Sequence, residues 1–136
     1  MNQVEALQAA LAGEHAALYG VGVAGGKLSG SKFQAASELD ERHRRQRDKL
    51  TDLLTAAGET PVAAEPAYDL PLAVTTPATA TALILLIERR LTAVYADLVE
   101  SAEQDAVRAL AIQYLLTTAA TQTTWGATPL AFPGTV

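Results

Sequence analysis

The segment from residue 58 to residue 76 contains three prolines and constrains the fold more than any other part of the chain. Proline lacks an amide hydrogen and clashes with the preceding turn, so a helix cannot run through this segment. On both sides of it, apolar residues recur every three or four positions, which is the spacing of one helix face. A long segment without secondary structure needs a role in a compact domain, and carrying the chain along a helical bundle supplies one. The sequence therefore predicts two helical pairs joined by a long crossover.

The first helical pair is predicted from two stripes separated by a glycine-rich turn at residues 25–30. The first stripe runs from Val4 to Val21, and the second helix is expected from Ser31 to Ala57. Gly58 is suited to end that helix because glycine adopts the left-handed conformation of a C-terminal cap. The stripe predicted for the second helix is polar in its middle and consists of Phe33, Ala36, Asp40, His43, Arg47, Leu50, Leu54 and Ala57.

The second helical pair is predicted to begin at Thr76 and Pro77, a capping hydroxyl followed by a proline at the first helical position. A break is expected near residues 101–104, and the fourth helix follows it. The tail 125–136 carries three large apolar side chains and is expected to fold back on the bundle, anchored by Trp125, Leu130 and Phe132.

A short turn, a long crossover and a second short turn form the connectivity of ferritin-like four-helix bundles. We therefore expect an all-α fold in which two antiparallel helical hairpins are joined by a long crossover between helices 2 and 3. The chain is expected to be a single domain, 1–136, with the crossover at 58–76 and the apolar C-terminal tail at 125–136.

Composition excludes several classes of function. The chain has no cysteine, so disulfides, thiolate catalysis and cysteine-bound metals are excluded. Its net charge of −5 argues against a nucleic-acid partner, which requires a basic face. The N-terminus lacks the pattern of a secretory signal, and the apolar run from Ala82 to Ile87 is too short to span a membrane. We expect a cytoplasmic protein with no membrane partner.

Polar residues inside the predicted core form the candidate site. Counted from Ser29 in the first turn, Glu14 lies fifteen residues before and His43 fourteen after, so both stand at nearly the same depth. Asp40 precedes His43 by three positions and imitates the Glu-x-x-His pattern of dimetal bundles. Glu88 occupies the depth in the second hairpin that Glu14 has in the first. The candidate residues for a metal site or a buried polar network are therefore Glu14, Asp40, His43 and Glu88.

The fourth helix lacks the matching ligands. The positions equivalent to Asp40 and His43 are Tyr114 and Thr117, and no acid or histidine follows Ala106. A complete dimetal site is therefore absent, although one metal bound by the four candidates stays geometrically possible. The other interpretation is a structural network in which buried charges are paired, supported by Arg47, Tyr95 and Tyr114.

Five motifs of the chain are typical of one family: Glu14–Gly20, His43–Asp48, Pro66–Pro71, Glu88 with Tyr95 to Leu98, and Trp125–Gly134. They resemble a bacterial ferritin-like domain family of unknown function, and the resemblance spans nearly the whole chain. Its most specific parts are the C-terminal tail and the Pro66–Tyr68 segment. The resemblance implies a ferritin-like bundle and no established activity, and any metal role would come only from the wider superfamily.

Two classes of function follow. The first is a non-catalytic helical module that forms a homo-oligomer, expected to be a dimer, or that binds a partner protein. Such a module needs no cofactor. The small residues Gly22 and Gly26 would permit the close approach of another helix. The second is a redox protein that binds iron or manganese through the reduced carboxylate and histidine set. A small-molecule ligand in the bundle centre is a third possibility, and the sequence does not identify that ligand.

Overall fold

The computed structural model describes residues 1–134, and these form a bundle of four helices. The helices are α1 (Gln3–Gly25), α2 (Gly30–Ala56), α3 (Pro77–Ser101) and α4 (Asp105–Thr124). The predicted all-α fold is confirmed, and residues 1–134 contain no β-strand. Thr135 and Val136, the end of the predicted tail, lie outside the described residues.

Local sequence signals set the helix starts. Asn2 caps α1 through a capping box with Glu5, in which each side chain bonds the backbone of the other residue. Thr76 caps α3 in the same way with Thr79, and Pro77 occupies the first turn, as the sequence predicts. Ser29 precedes α2, but its side chain forms no capping hydrogen bond.

The helices pack as two antiparallel hairpins. α1 packs against α2 and α3, and α3 packs against α4. The side chain of Gln3, at the start of α1, accepts hydrogen bonds from the amides of Glu103 and Gln104 just beyond the end of α3. α1 and α3 therefore run in opposite directions, and Gly13 of α1 lies close to Leu91 of α3.

The crossover runs along α1. The Gln8 side chain donates to the carbonyl of Thr60 and accepts from the amide of Val62, each over 2.8 Å. Further on, the rings of Tyr19 and Tyr68 pack with centroids 5.7 Å apart. The apolar side chains of Leu70, Leu72 and Val74 pack against the buried core. These contacts hold an extended segment against the bundle over its length.

The core consists of two apolar clusters. One includes Leu7, Leu50 and Leu98, and the other is formed around Val21 and Ile84. In α1, α2 and α3, the apolar residues of the two clusters are interrupted by buried polar side chains. A polar layer therefore crosses the bundle near its middle.

The tail returns to the bundle at Trp125 and at Gly134. Trp125 packs against the core, and a Cβ on Gly134 would lie 2.7 Å from that of Ala96, so the chain passes directly over α3. Leu130 and Phe132, expected as anchors, remain 60% and 75% exposed. No helix within residues 1–134 is long and apolar enough to cross a membrane.

Candidate functional site

The polar layer is centred on the imidazole of His43. Its Nδ1 lies 2.6 Å from Oε2 of Glu14, and its Nε2 lies 2.5 Å from Oε1 of Glu88. The three side chains come from α2, α1 and α3 and are fully buried. The structure thus brings together three of the four candidate residues that the sequence singled out.

The two neighbouring carboxylates favour the protonated form of His43. An ionised carboxylate only accepts hydrogen bonds, so each ionised neighbour is satisfied by a hydrogen on the ring nitrogen that faces it. Burial lowers the pKa of His43, but the hydrogen bonds and charges of Glu14 and Glu88 outweigh it and raise the pKa from 6.5 to about 9. His43 is therefore an imidazolium at neutral pH.

Arg42 completes the charge balance of the layer. Its guanidinium donates to Oε2 of Glu88 over 3.2 Å and to Oγ1 of Thr121 over 2.7 Å. Glu14 and Glu88 carry two negative charges, and His43 and Arg42 carry two positive ones, so the set sums to zero. Buried charges persist at acceptable cost when each is paired and hydrogen-bonded in this way.

The second oxygen of Glu14 is also satisfied. Oε1 accepts a hydrogen bond from Nε2 of Gln46 over 2.6 Å and another from the hydroxyl of Tyr95. Burial, and next the neighbouring charge of Glu14, raise the pKa of Tyr95 well above its ordinary value, so its hydroxyl stays a donor. The ring of Tyr114 packs edge-on against Tyr95, with centroids 5.4 Å apart.

Helix α4 joins the layer through hydroxyl and amide groups. The hydroxyl of Thr92 on α3 lies 2.7 Å from the backbone oxygen of Glu88 and 3.0 Å from the hydroxyl of Thr118. It also accepts from the amide of Gln122 over 2.8 Å. Neutral groups of α4 thus occupy the side of the bundle where a dimetal protein would need a carboxylate and a histidine.

Two of the residues singled out from the sequence lie outside the layer. Asp40 pairs with Arg44 over 2.7 Å, one turn along the surface of α2. Arg47 pairs with its neighbour Asp48 over 2.9 Å. The reason is rotational: Asp40 and Arg47 lie on the solvent side of the stripe that His43 occupies.

Sequence reasoning missed Arg42 and Gln46. Gln46 follows His43 by three positions, a spacing that places both on one helix face. An amide in line with a candidate histidine was the available signal for Gln46. Arg42 lies within a run of basic residues, and nothing in that run distinguishes it from its neighbours.

The residues do not fit an iron or manganese centre in this arrangement. A histidine ligand presents a lone pair to the metal, whereas the two ring nitrogens of His43 lie 2.6 and 2.5 Å from carboxylate oxygens. The oxygens of Glu14 and Glu88 face the imidazole from opposite sides and not a shared point. Within residues 1–134, no group of three or more His, Asp or Glu side chains could hold a metal ion.

Comparison with known proteins identifies a family and a similar solved structure. Residues 6–136 match the family described as "Domain of unknown function (DUF4439)". Among solved structures, the chain is similar to a conserved hypothetical protein, rv2844, from Mycobacterium tuberculosis, with a TM-score of 0.89 and 32% identity. The alignment covers 96% of each chain. No functionally curated protein matches the chain.

Proposed function

The chain belongs to the DUF4439 family of domains of unknown function, and because this family implies no activity, we propose from the site itself that it is a non-catalytic helical module. The observation that carries the proposal is the bonding of His43, whose two ring nitrogens both lie within hydrogen-bond distance of buried carboxylates. We further propose that the bundle is of the ferritin-like type, since two hairpins joined by a long crossover surround a polar mid-layer.

The saturation of the layer argues for a structural role. A catalytic acid or base must come within hydrogen-bond reach of a substrate. Glu14, His43 and Glu88 are fully buried, and each one's hydrogen-bonding groups are already engaged within the bundle. The layer therefore serves to fix the relative positions of α1, α2 and α3, because only one register satisfies all of its charges.

Metal content tests this proposal against the iron or manganese redox alternative. Untagged protein from cells supplemented with iron and manganese is analysed by elemental mass spectrometry, beside the Glu14→Gln variant. We expect metal far below one ion per chain in both proteins. Stoichiometric iron or manganese in the wild type that the variant loses would overturn the structural role and establish a metalloprotein.

Self-association is the proposed use of the module. Among the other helices, only α3 has Cα atoms within 8 Å of those of α4. The outer side of α4 carries an apolar stripe at helical spacing, which we call the α4 stripe: Ala109, Ile112, Leu116 and Ala120. Ile112 and Leu116 are 42% and 57% exposed and lie one turn apart. A contiguous exposed apolar surface of this kind favours association, and two copies of one stripe form a symmetric dimer.

Sedimentation velocity over a wide range of concentration tests the dimer. We expect the wild type to show a concentration-dependent dimer and Leu116→Glu to remain a monomer. Phe33→Glu is the matched control, since Phe33 is 50% exposed on α2, away from the stripe. A wild type that stays monomeric at high concentration would contradict self-association through α4. Loss of the dimer in Phe33→Glu as complete as in Leu116→Glu would contradict it as well.

A further inference from the structure

A polar cavity lies between α2 and α4 at the level of the buried layer, beside the hydrogen bond that joins Arg42 to Thr121. Both helices lie entirely within the described residues, and no Cα of α2 comes within 8 Å of a Cα of α4. The space between them is a cavity of about 350 Å³. We call it the α2–α4 cleft, and its lining residues are Arg42, Arg45, Gln46, Gln113, Tyr114 and Thr117.

The α2–α4 cleft is positive in a chain that is negative overall. The chain has 15 acidic and 10 basic residues, yet the cleft is lined by two arginines and no carboxylate. Arg42 is balanced by the buried layer, but Arg45 forms no ion pair with any residue in the range 1–134. Arg45 is an exposed residue, and its unpaired guanidinium gives the cleft an excess of positive charge.

One buried hydrogen-bond donor at the same place is unpaired. The Nε of Arg42 has no hydrogen-bond partner within the described part of the chain. An unpaired buried donor costs free energy, which a bound acceptor would recover once the guanidinium turns to expose this nitrogen. Tyr114 adds a phenolic hydroxyl: burial, and then the charge of Glu14, raise its pKa, so it stays protonated and able to donate.

We propose that the α2–α4 cleft binds a small organic molecule bearing an oxyanion, either a carboxylate or a phosphate. Planar guanidinium groups bind both kinds of oxyanion through paired, charge-assisted hydrogen bonds. The cavity lies at the small end of the range for ligand pockets, which suits a metabolite-sized molecule. The site does not depend on self-association, because the α4 stripe and the cleft are formed by different residues of α4.

The neighbouring arginines of α2 provide a matched pair of variants. Arg45→Gln removes the unpaired charge that lines the cleft. Arg44→Gln removes the same charge one residue away, where the guanidinium pairs with Asp40 at the surface. Tyr114→Phe removes only a hydroxyl from the cleft and keeps the ring that packs on Tyr95.

Isothermal titration calorimetry with sodium phosphate and with sodium malonate, at constant ionic strength set by sodium chloride, tests the proposal. We expect saturable binding of at least one probe to the wild type and to Arg44→Gln. Arg45→Gln should weaken it about tenfold, as expected for a lost charge-assisted hydrogen bond, and Tyr114→Phe more modestly. The proposal would be overturned if neither probe showed saturable binding to the wild type. It would also be overturned if Arg44→Gln lost as much affinity as Arg45→Gln. The probe bound more tightly identifies the class of oxyanion.

Discussion

Nδ1 of His43 lies 2.6 Å from Oε2 of Glu14 in the fully buried middle of the bundle, joining two helices of the first hairpin. Nε2 of the same ring extends the connection to Glu88 of the second hairpin. One imidazolium therefore holds both hairpins together. This arrangement affects both the free energy of unfolding and the protonation of the ring, and both can be measured.

Replacing Glu14 by glutamine should strongly destabilise the fold. The variant leaves His43 with one carboxylate partner, and breaking a buried ion pair from one side costs about 3–5 kcal/mol. Urea denaturation gives the free energy of unfolding. The matched control is Asp40→Asn, which breaks the surface pair with Arg44 and should change stability far less. Equal effects of the two variants would show that the buried layer is no more important than a surface pair.

The pH dependence of stability follows from His43. Its pKa in the folded chain, about 9, exceeds the ordinary value of 6.5. The contribution of this pKa difference to the free energy of unfolding is fully present below pH 6.5. It is lost as the pH rises through about 9, so the free energy of unfolding falls by about 3 kcal/mol. Tyr95 does not titrate in this pH range, because its pKa is raised well above an ordinary value of 10.

Urea denaturation at several pH values between 6 and 9.5 measures this fall. The same series on His43→Gln provides the control, since that variant has no imidazole to titrate in the layer. We expect the slope to be present in the wild type and absent from the variant. A wild type whose stability is constant over this range would contradict the assignment of an imidazolium.

The hydroxyl of Tyr95 should contribute measurably to stability. It donates to Glu14 inside the layer, so Tyr95→Phe leaves a buried carboxylate with one donor fewer, at a cost of about 1–3 kcal/mol. Thermal and urea denaturation measure the change. Tyr19→Phe serves as control, since the Tyr19 ring packs on Tyr68 of the crossover, outside the layer. A larger loss from Tyr19→Phe than from Tyr95→Phe would refute this role.

Two glycines of α1 should respond differently to alanine. A Cβ on Gly22 would meet no atom within 4 Å, so Gly22→Ala should stabilise the helix by about 1 kcal/mol. A Cβ on Gly20 would lie 2.5 Å from Cδ1 of Ile87, which must move. Gly20→Ala should therefore stabilise less or destabilise. Thermal denaturation of both variants checks the order, which the reverse ranking would contradict.

The sequence predicted the depth of the site better than the rotation of its helices. Counting from the first turn placed Glu14 opposite His43, because antiparallel helices rise equally per residue on both sides of a turn. The rotation of a helix about its own axis is harder to predict from the sequence, because steps of three and of four residues both keep a side chain near one face. The buried stripe of α2 uses Leu39 and Gln46, where the prediction used Asp40 and Arg47.

The contribution of α4 could not be predicted from its composition. No acid or histidine follows Ala106, and the structure fills that side of the layer with Thr118, Thr121 and Gln122. Threonine hydroxyls also bond the preceding turn of their own helix, as Thr118 and Thr121 both do. Their second partners depend on packing between helices, which a single sequence does not contain.

The most direct measurement of the central claim is nitrogen-15 NMR of the His43 ring at pH 7, assigned by comparison with His43→Gln. Our account predicts that both ring nitrogens carry hydrogens and that both show slow exchange with solvent, because the ring is fully buried between Glu14 and Glu88. A neutral ring with one bare nitrogen, or a signal shifted or broadened by added Mn(II) at equimolar concentration, would contradict it. Either of those results would identify His43 as a ligand or base and not as the charged centre of a structural layer.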